Sequence, residues 1–118
     1  MTRLRRMACI ALGLAGLAMP MACWHQGGAY LSEDEMHGRA LFEDHCAPCH
    51  EGDHPELRKQ PPKLEGLFKS KSLPSGVPAT DVQVRKTIVE GRGTMPAFDQ
   101  RLSEKDVDDL VKYIHTLR

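Results

Sequence analysis

Apolar positions recur most regularly near the C-terminus. Val107, Leu110, Val111, Ile114 and Leu117 follow at three- and four-residue spacing behind Ser103-Glu104-Lys105-Asp106, which predicts an amphipathic helix opened by a serine cap. Ser32-Glu33-Asp34-Glu35 is a capping box. The helix behind it should run from about Glu33 to His45, with Gly38, Leu41, Phe42 and His45 on one face. Thr80-Asp81-Val82-Gln83 reads as a second box, with Val84 and Ile88 on one face and Gly91 as the stop. Residues 48–80 hold six of the eight prolines and read as loops, with at most one helical turn around Leu64–Phe68; Pro48 reads as the end of regular helix. No segment alternates apolar and polar residues long enough for a strand. The expectation is an all-α fold of three to four short helices with loops, the acidic runs at 33–35 and 106–109 serving as helix-start charges.

The first residues follow another pattern. Arg3, Arg5 and Arg6 precede an uncharged, mostly apolar run that ends at His25, which reads as a secretory signal over residues 1–22, with the cut falling as late as residue 29. Residues 23–31 read as a tether and 32–118 as one domain. An uncleaved leader acting as a single-span anchor is the alternative. Cys23 offers a second route to the membrane: cleavage just before it would leave a cysteine for lipid, although Pro20 stands where a lipobox has an aliphatic residue. Cleavage after Ala29 would discard Cys23. Without its leader the chain keeps 13 basic against 16 acidic residues, a net charge of −3. That balance excludes nucleic acid as a partner, because phosphate binding needs clustered Lys and Arg. A domain this short, in a chain only 41% apolar, needs a staple or a cofactor to complete its core.

Cys46-Ala47-Pro48-Cys49-His50 carries the chemistry. Two intervening residues put both sulfurs on one side of a tight turn, where they can add to the two vinyl groups of one haem while His50 projects toward the iron. Three rivals are weaker. A thioredoxin-like C-x-x-C belongs at a helix start in a βαβ unit. A zinc site needs four ligands, and no second cysteine pair accompanies His37, His45, His50 and His54. A plain disulfide is the remaining alternative.

From Ser32 to Arg118 the chain resembles the class I cytochrome c family. Gly38 and Phe42 resemble that family's glycine and aromatic where the first and last helices cross, with Leu110 and Tyr113 as their partners. Pro62-Lys63-Leu64 resembles its Pro-x-Leu stretch, and Gly93-Thr94-Met95-Pro96-Ala97-Phe98 its methionine loop. The resemblance implies a small cytochrome c fold wrapped around one covalent haem c. Cys46, Cys49, Pro62 and Leu64 would bind the cofactor, and the Pro62 carbonyl would accept a hydrogen bond from the free ring nitrogen of iron-bound His50. Two stretches depart from the family pattern, residues 51–61 and the Pro-, Ser- and Lys-rich residues 69–79. No interior tryptophan is available for a propionate.

Met95 is the expected sixth ligand. It is the only methionine after the motif, and Pro96 stiffens the loop that presents it. His54, His115, His37 and His45 are lesser candidates for that position. With both axial positions filled by protein, the iron has no site for substrate. The expected function is then one-electron transfer in the bacterial envelope, in the periplasm or on the outer face of the cytoplasmic membrane, and not enzymatic catalysis. The partners are redox proteins of unknown identity, and the acidic helix starts could form part of a docking face for them. One alternative is a cytochrome c subunit of a larger exported dehydrogenase or respiratory complex. Another, less favoured, is an open-site haem sensor or enzyme.

Overall fold

The computed structural model describes residues 30–118. The signal at 1–22, the cut as late as 29, the Cys23 lipid site and most of the tether at 23–31 lie outside the described residues. The described chain is all-α: α1 (Glu33–His45), α2 (Ala47–His50), a 3₁₀ turn (Leu67–Lys69), α3 (Asp81–Glu90) and α4 (Glu104–Thr116). Strand-like pairing among the described residues is limited to two isolated bridges, Ser72 with Pro78 and Arg92 with Met95.

Local chemistry sets the helix starts. Ser32 and Ser103 each accept from the backbone N–H three residues on, and Glu35 and Asp106 reach back to the cap N–H, closing both boxes. Thr80 caps α3 from one side only: its hydroxyl accepts from Gln83 N–H, and no bond returns from the glutamine. Pro48 does not end helical structure as the sequence suggested. It sits in the first turn of α2, where a missing N–H costs nothing.

The main crossing joins α1 to α4. A Cβ on Gly38 would stand 2.0 Å from the Asp109 carbonyl oxygen and 2.9 Å from Tyr113 Cβ, so only glycine lets the two backbones approach this closely. One turn on, Phe42 meets Tyr113 edge to face with ring centroids 5.3 Å apart. Phe42, Val107, Leu110, Val111 and Ile114 fill the crossing, and Val84 and Ile88 of α3 extend the core toward Leu73, Phe98 and Leu102. His45, expected on the buried face of α1, is exposed.

The acidic run on α4 also departs from expectation. Asp109 is not a solvated helix-start charge; it is fully buried. Its Oδ2 accepts from Lys105 Nζ at 2.6 Å and from His37 Nδ1 at 2.8 Å, while Lys112 Nζ stands 3.5 Å from Oδ1. Asp34 on α1 takes both Lys105 and Lys112. A ring of charges thus clasps the crossing over its apolar centre.

Candidate haem site

α1 delivers the motif. Cys46 N–H continues the α1 ladder to Phe42 O, and the Cys46 carbonyl then accepts from both Cys49 N–H (3.0 Å) and His50 N–H (2.8 Å). The five residues therefore close one helical turn around a single carbonyl, with the two cysteines three positions apart on neighbouring faces. Both sulfurs are free thiols, Cys46 buried and Cys49 exposed. Burial first, and the neighbouring Cys49 second, push the Cys46 thiol up to about 11. Cys46 is accordingly a neutral thiol at neutral pH, unlike the low-pKa cysteine of a disulfide oxidoreductase. Among the described residues no group of three or more His, Cys, Asp or Glu side chains is placed to hold a metal ion.

His50 is buried, and its Nδ1 lies 2.7 Å from the Pro62 carbonyl oxygen. A carbonyl only accepts, so Nδ1 carries a proton, and Nε2 is the ring nitrogen left for a metal. Nε2 makes no hydrogen bond among the described residues. Lys63 Nζ donates to Glu51 O at 2.9 Å, tying the exit of the motif to the strip that carries Pro62. Leu64 packs half-buried against the core, and Gly66 N–H bonds Leu117 O at 3.0 Å, fastening this strip to the end of α4. A cavity of about 540 Å³ lies beside His50, bounded by Phe42, Leu64 and Leu117 and edged by Glu51, Lys63 and Arg118. This donor set fits haem c: two free thiols on one turn, and beside them an imidazole whose Nδ1 is committed to Pro62 and whose second nitrogen is unused.

Met95 stands on a separate element between α3 and α4. Arg92 and Met95 exchange both backbone hydrogen bonds at 3.0 Å, closing a tight turn with Gly93 and Thr94 at its tip. A Cβ on Gly91 (φ 71°) would meet Met95 O, Pro96 C and Ala97 N at 2.7 Å, so the loop folds back directly over this glycine. Phe98 N–H bonds Ile88 O at 3.1 Å and pins the loop's exit to α3. Met95 is half-buried against the shared core, which is what relates it to the motif; no hydrogen bond links the two.

The other described histidines lie elsewhere. His37 belongs to the Asp109 clasp. His115 stacks on Phe68 at 3.7 Å and bonds Asp81 at 2.8 Å. His54 bonds Glu56 and lies in a loop held by Gln60, with its own Nε2 buried and unpartnered. His45 lies 6.0 Å from the Phe98 ring. Sequence reasoning overlooked the Lys63 tie and the Asp109 clasp; only the Lys105–Asp109 and Asp109–Lys112 spacings mark part of the clasp locally.

Residues 33–114 match the family described as cytochrome C oxidase, cbb3-type, subunit III. The chain is similar to cytochrome c6 of Synechocystis sp., 29% identical over 84% of this chain and 82% of that protein. It is 32% identical to cytochrome c6 of Cyanidioschyzon merolae over 69% of this chain and 72% of the relative. Among solved structures it is similar to cytochrome c6 from the diatom Phaeodactylum tricornutum. The TM-score there is 0.54 at 26% identity, covering 70% of this chain and 92% of that one.

Proposed function

The chain belongs to this cytochrome c family, and on that premise we propose that it is an electron carrier with one covalent haem c, held by Cys46 and Cys49 and ligated by His50 and Met95. Bound haem supplies a one-electron iron couple. The chain's residues do the rest. The Pro62 carbonyl holds the proton on His50 Nδ1 and fixes the ring. Leu64 and Phe42 give the cavity beside that ring apolar walls. Met95 offers a soft thioether that raises the potential, from a turn closed by two hydrogen bonds.

The observation that carries this reading is the commitment of His50 Nδ1 to Pro62, which leaves Nε2 free beside two free thiols on the same turn. With His50 and Met95 both donating to the iron, no position would be left for substrate, and the protein would act as a carrier and not an enzyme. The test is carbon monoxide added to the reduced holoprotein at neutral pH. A closed carrier binds it slowly or not at all; rapid stoichiometric binding would make it a sensor or a haem enzyme.

Export across the cytoplasmic membrane is part of the same proposal, supported by the basic and apolar leader. No helix among the described residues is long and apolar enough to cross a membrane. A second reading draws on the family's description as an oxidase subunit: the chain would serve as the cytochrome subunit of a larger respiratory complex. Purification from native membranes separates the two, since a stoichiometric partner would favour the subunit.

A further inference from the structure

Between His50 and Pro62 the chain makes an excursion that is tied back on itself at both of its ends. Lys63 Nζ donates to Glu51 O at 2.9 Å and to Gly52 O at 3.4 Å, the carbonyls that leave α2 directly after His50. A lysine on the last carbonyls of a helix acts as a cap. Gln60 holds the middle of the loop. Its Nε2 donates to His54 O at 2.5 Å and to Leu57 O at 3.2 Å, and its Oε1 accepts from His54 N–H at 3.0 Å. Leu57 N–H shares the same His54 carbonyl at 2.9 Å.

These two anchors flank Pro61-Pro62. Each proline ring fixes its own φ, and each proline also forces the residue before it into extended backbone. Gln60 and Pro61 both precede a proline, so the link from Gln60 to the Pro62 carbonyl is short and stiff. Displacing Gln60 displaces that carbonyl. Packing does not hold it from upstream, because Pro62 is exposed, as are Arg58, Lys59 and Gln60. Leu64 supplies an apolar hold on the downstream side only. The carbonyl that meets buried His50 Nδ1 at 2.7 Å therefore depends on polar ties made by exposed side chains.

We propose that Lys63 and Gln60 are positioning residues for the axial histidine: they set the Pro62 carbonyl against His50 Nδ1 and thereby tune how strongly Nε2 donates to the iron. This role rests on the electron-carrier reading and adds what regulates the carrier's potential. A firmer bond at Nδ1 makes the imidazole a stronger donor, which favours Fe(III) and lowers the potential. Loss of either tie acts in the opposite direction.

The experiment follows solvent exchange of the His50 Nδ1 proton by NMR in the reduced holoprotein. Lys63→Met should accelerate exchange on the order of tenfold, as loss of a charged hydrogen bond implies. Lys63→Arg keeps a donor and should stay near wild type. Lys59→Met removes the same charge from an exposed position of the same loop and should leave exchange unchanged. The backbone amides of α4 are the internal reference. If they speed up together with the ring proton, Lys63→Met has loosened the whole fold and the proposal is overturned. Equal exchange in Lys63→Met and Lys59→Met would overturn it as well. Gln60→Ala gives a second readout with no change of charge: its midpoint potential should rise. Opening the site to water would instead stabilise the more charged Fe(III) and lower the potential, so a fall, or no change, contradicts the positioning role. The carrier reading fails separately, on the wild type alone, if its reduced iron binds carbon monoxide rapidly. The exchange ratios are then read in that diamagnetic complex and keep their meaning.

Discussion

His37 on α1 donates from Nδ1 to the buried Oδ2 of Asp109 on α4 at 2.8 Å, one residue from the point where Gly38 lets the two helices touch. The contact joins the helix that delivers Cys46 to the helix that supplies most of the core. Lys105, first, and His37, second, hold the Asp109 carboxyl well below the usual range, at about 2. Its ordinary value is 3.8, so the folded state is the poorer proton binder. The stability this gives is complete above about pH 4 and is lost as pH falls toward 2. Asp109→Asn should lower the unfolding temperature at pH 7 and flatten its decline between pH 4 and pH 2. An unchanged acid slope would assign acid sensitivity to Asp34, Glu35 and Asp106, which are also held below their ordinary values.

Gly38→Ala tests the crossing itself. The new methyl carbon would meet backbone, the Asp109 carbonyl oxygen at 2.0 Å and its carbon at 2.6 Å, and backbone cannot rotate away. The helices must separate, at a cost of about 1–3 kcal/mol or more, read from the urea midpoint. Phe42→Ala at the same crossing leaves a cavity in place of a clash and should cost about 3–5 kcal/mol.

What the sequence made legible was short in range. The Ser32 and Ser103 caps act over three residues, and the bounds of α1 follow from them. The stripe on α4 repeats within one helix, and Val107, Leu110, Val111 and Ile114 are all buried. The burial of Asp109 was illegible because α1, which covers it with His37, lies about 72 positions away, and an acid in a helix's first turns with a lysine four before it looks solvated from sequence alone. Pro48 misled because a proline interrupts a helix only past its first turn. The C-x-x-C-H string identifies itself. The bond from His50 to Pro62 spans 12 positions across irregular chain, and resemblance to a family was the only signal for it.

The two thiols should be separable. Cys46→Ser and Cys49→Ser each leave one sulfur able to form a thioether, so each variant should keep haem on a denaturing gel at reduced yield. The double variant should lose it. Cys46→Ser should fold less well, since Cys46 is buried in the core where Cys49 is exposed. Equal yields and stabilities for the two single variants would count against that asymmetry.

The most direct test of a closed, two-ligand electron carrier is the visible spectrum of the oxidised and reduced protein, wild type beside Met95→Ala. The expected wild type is low-spin in both states, with the weak band that marks methionine on ferric iron. The variant should lose that band, turn high-spin and show a lower midpoint potential. A wild type already high-spin, or a Met95→Ala variant with an unchanged spectrum, would contradict the assignment of Met95 and reopen the sixth position.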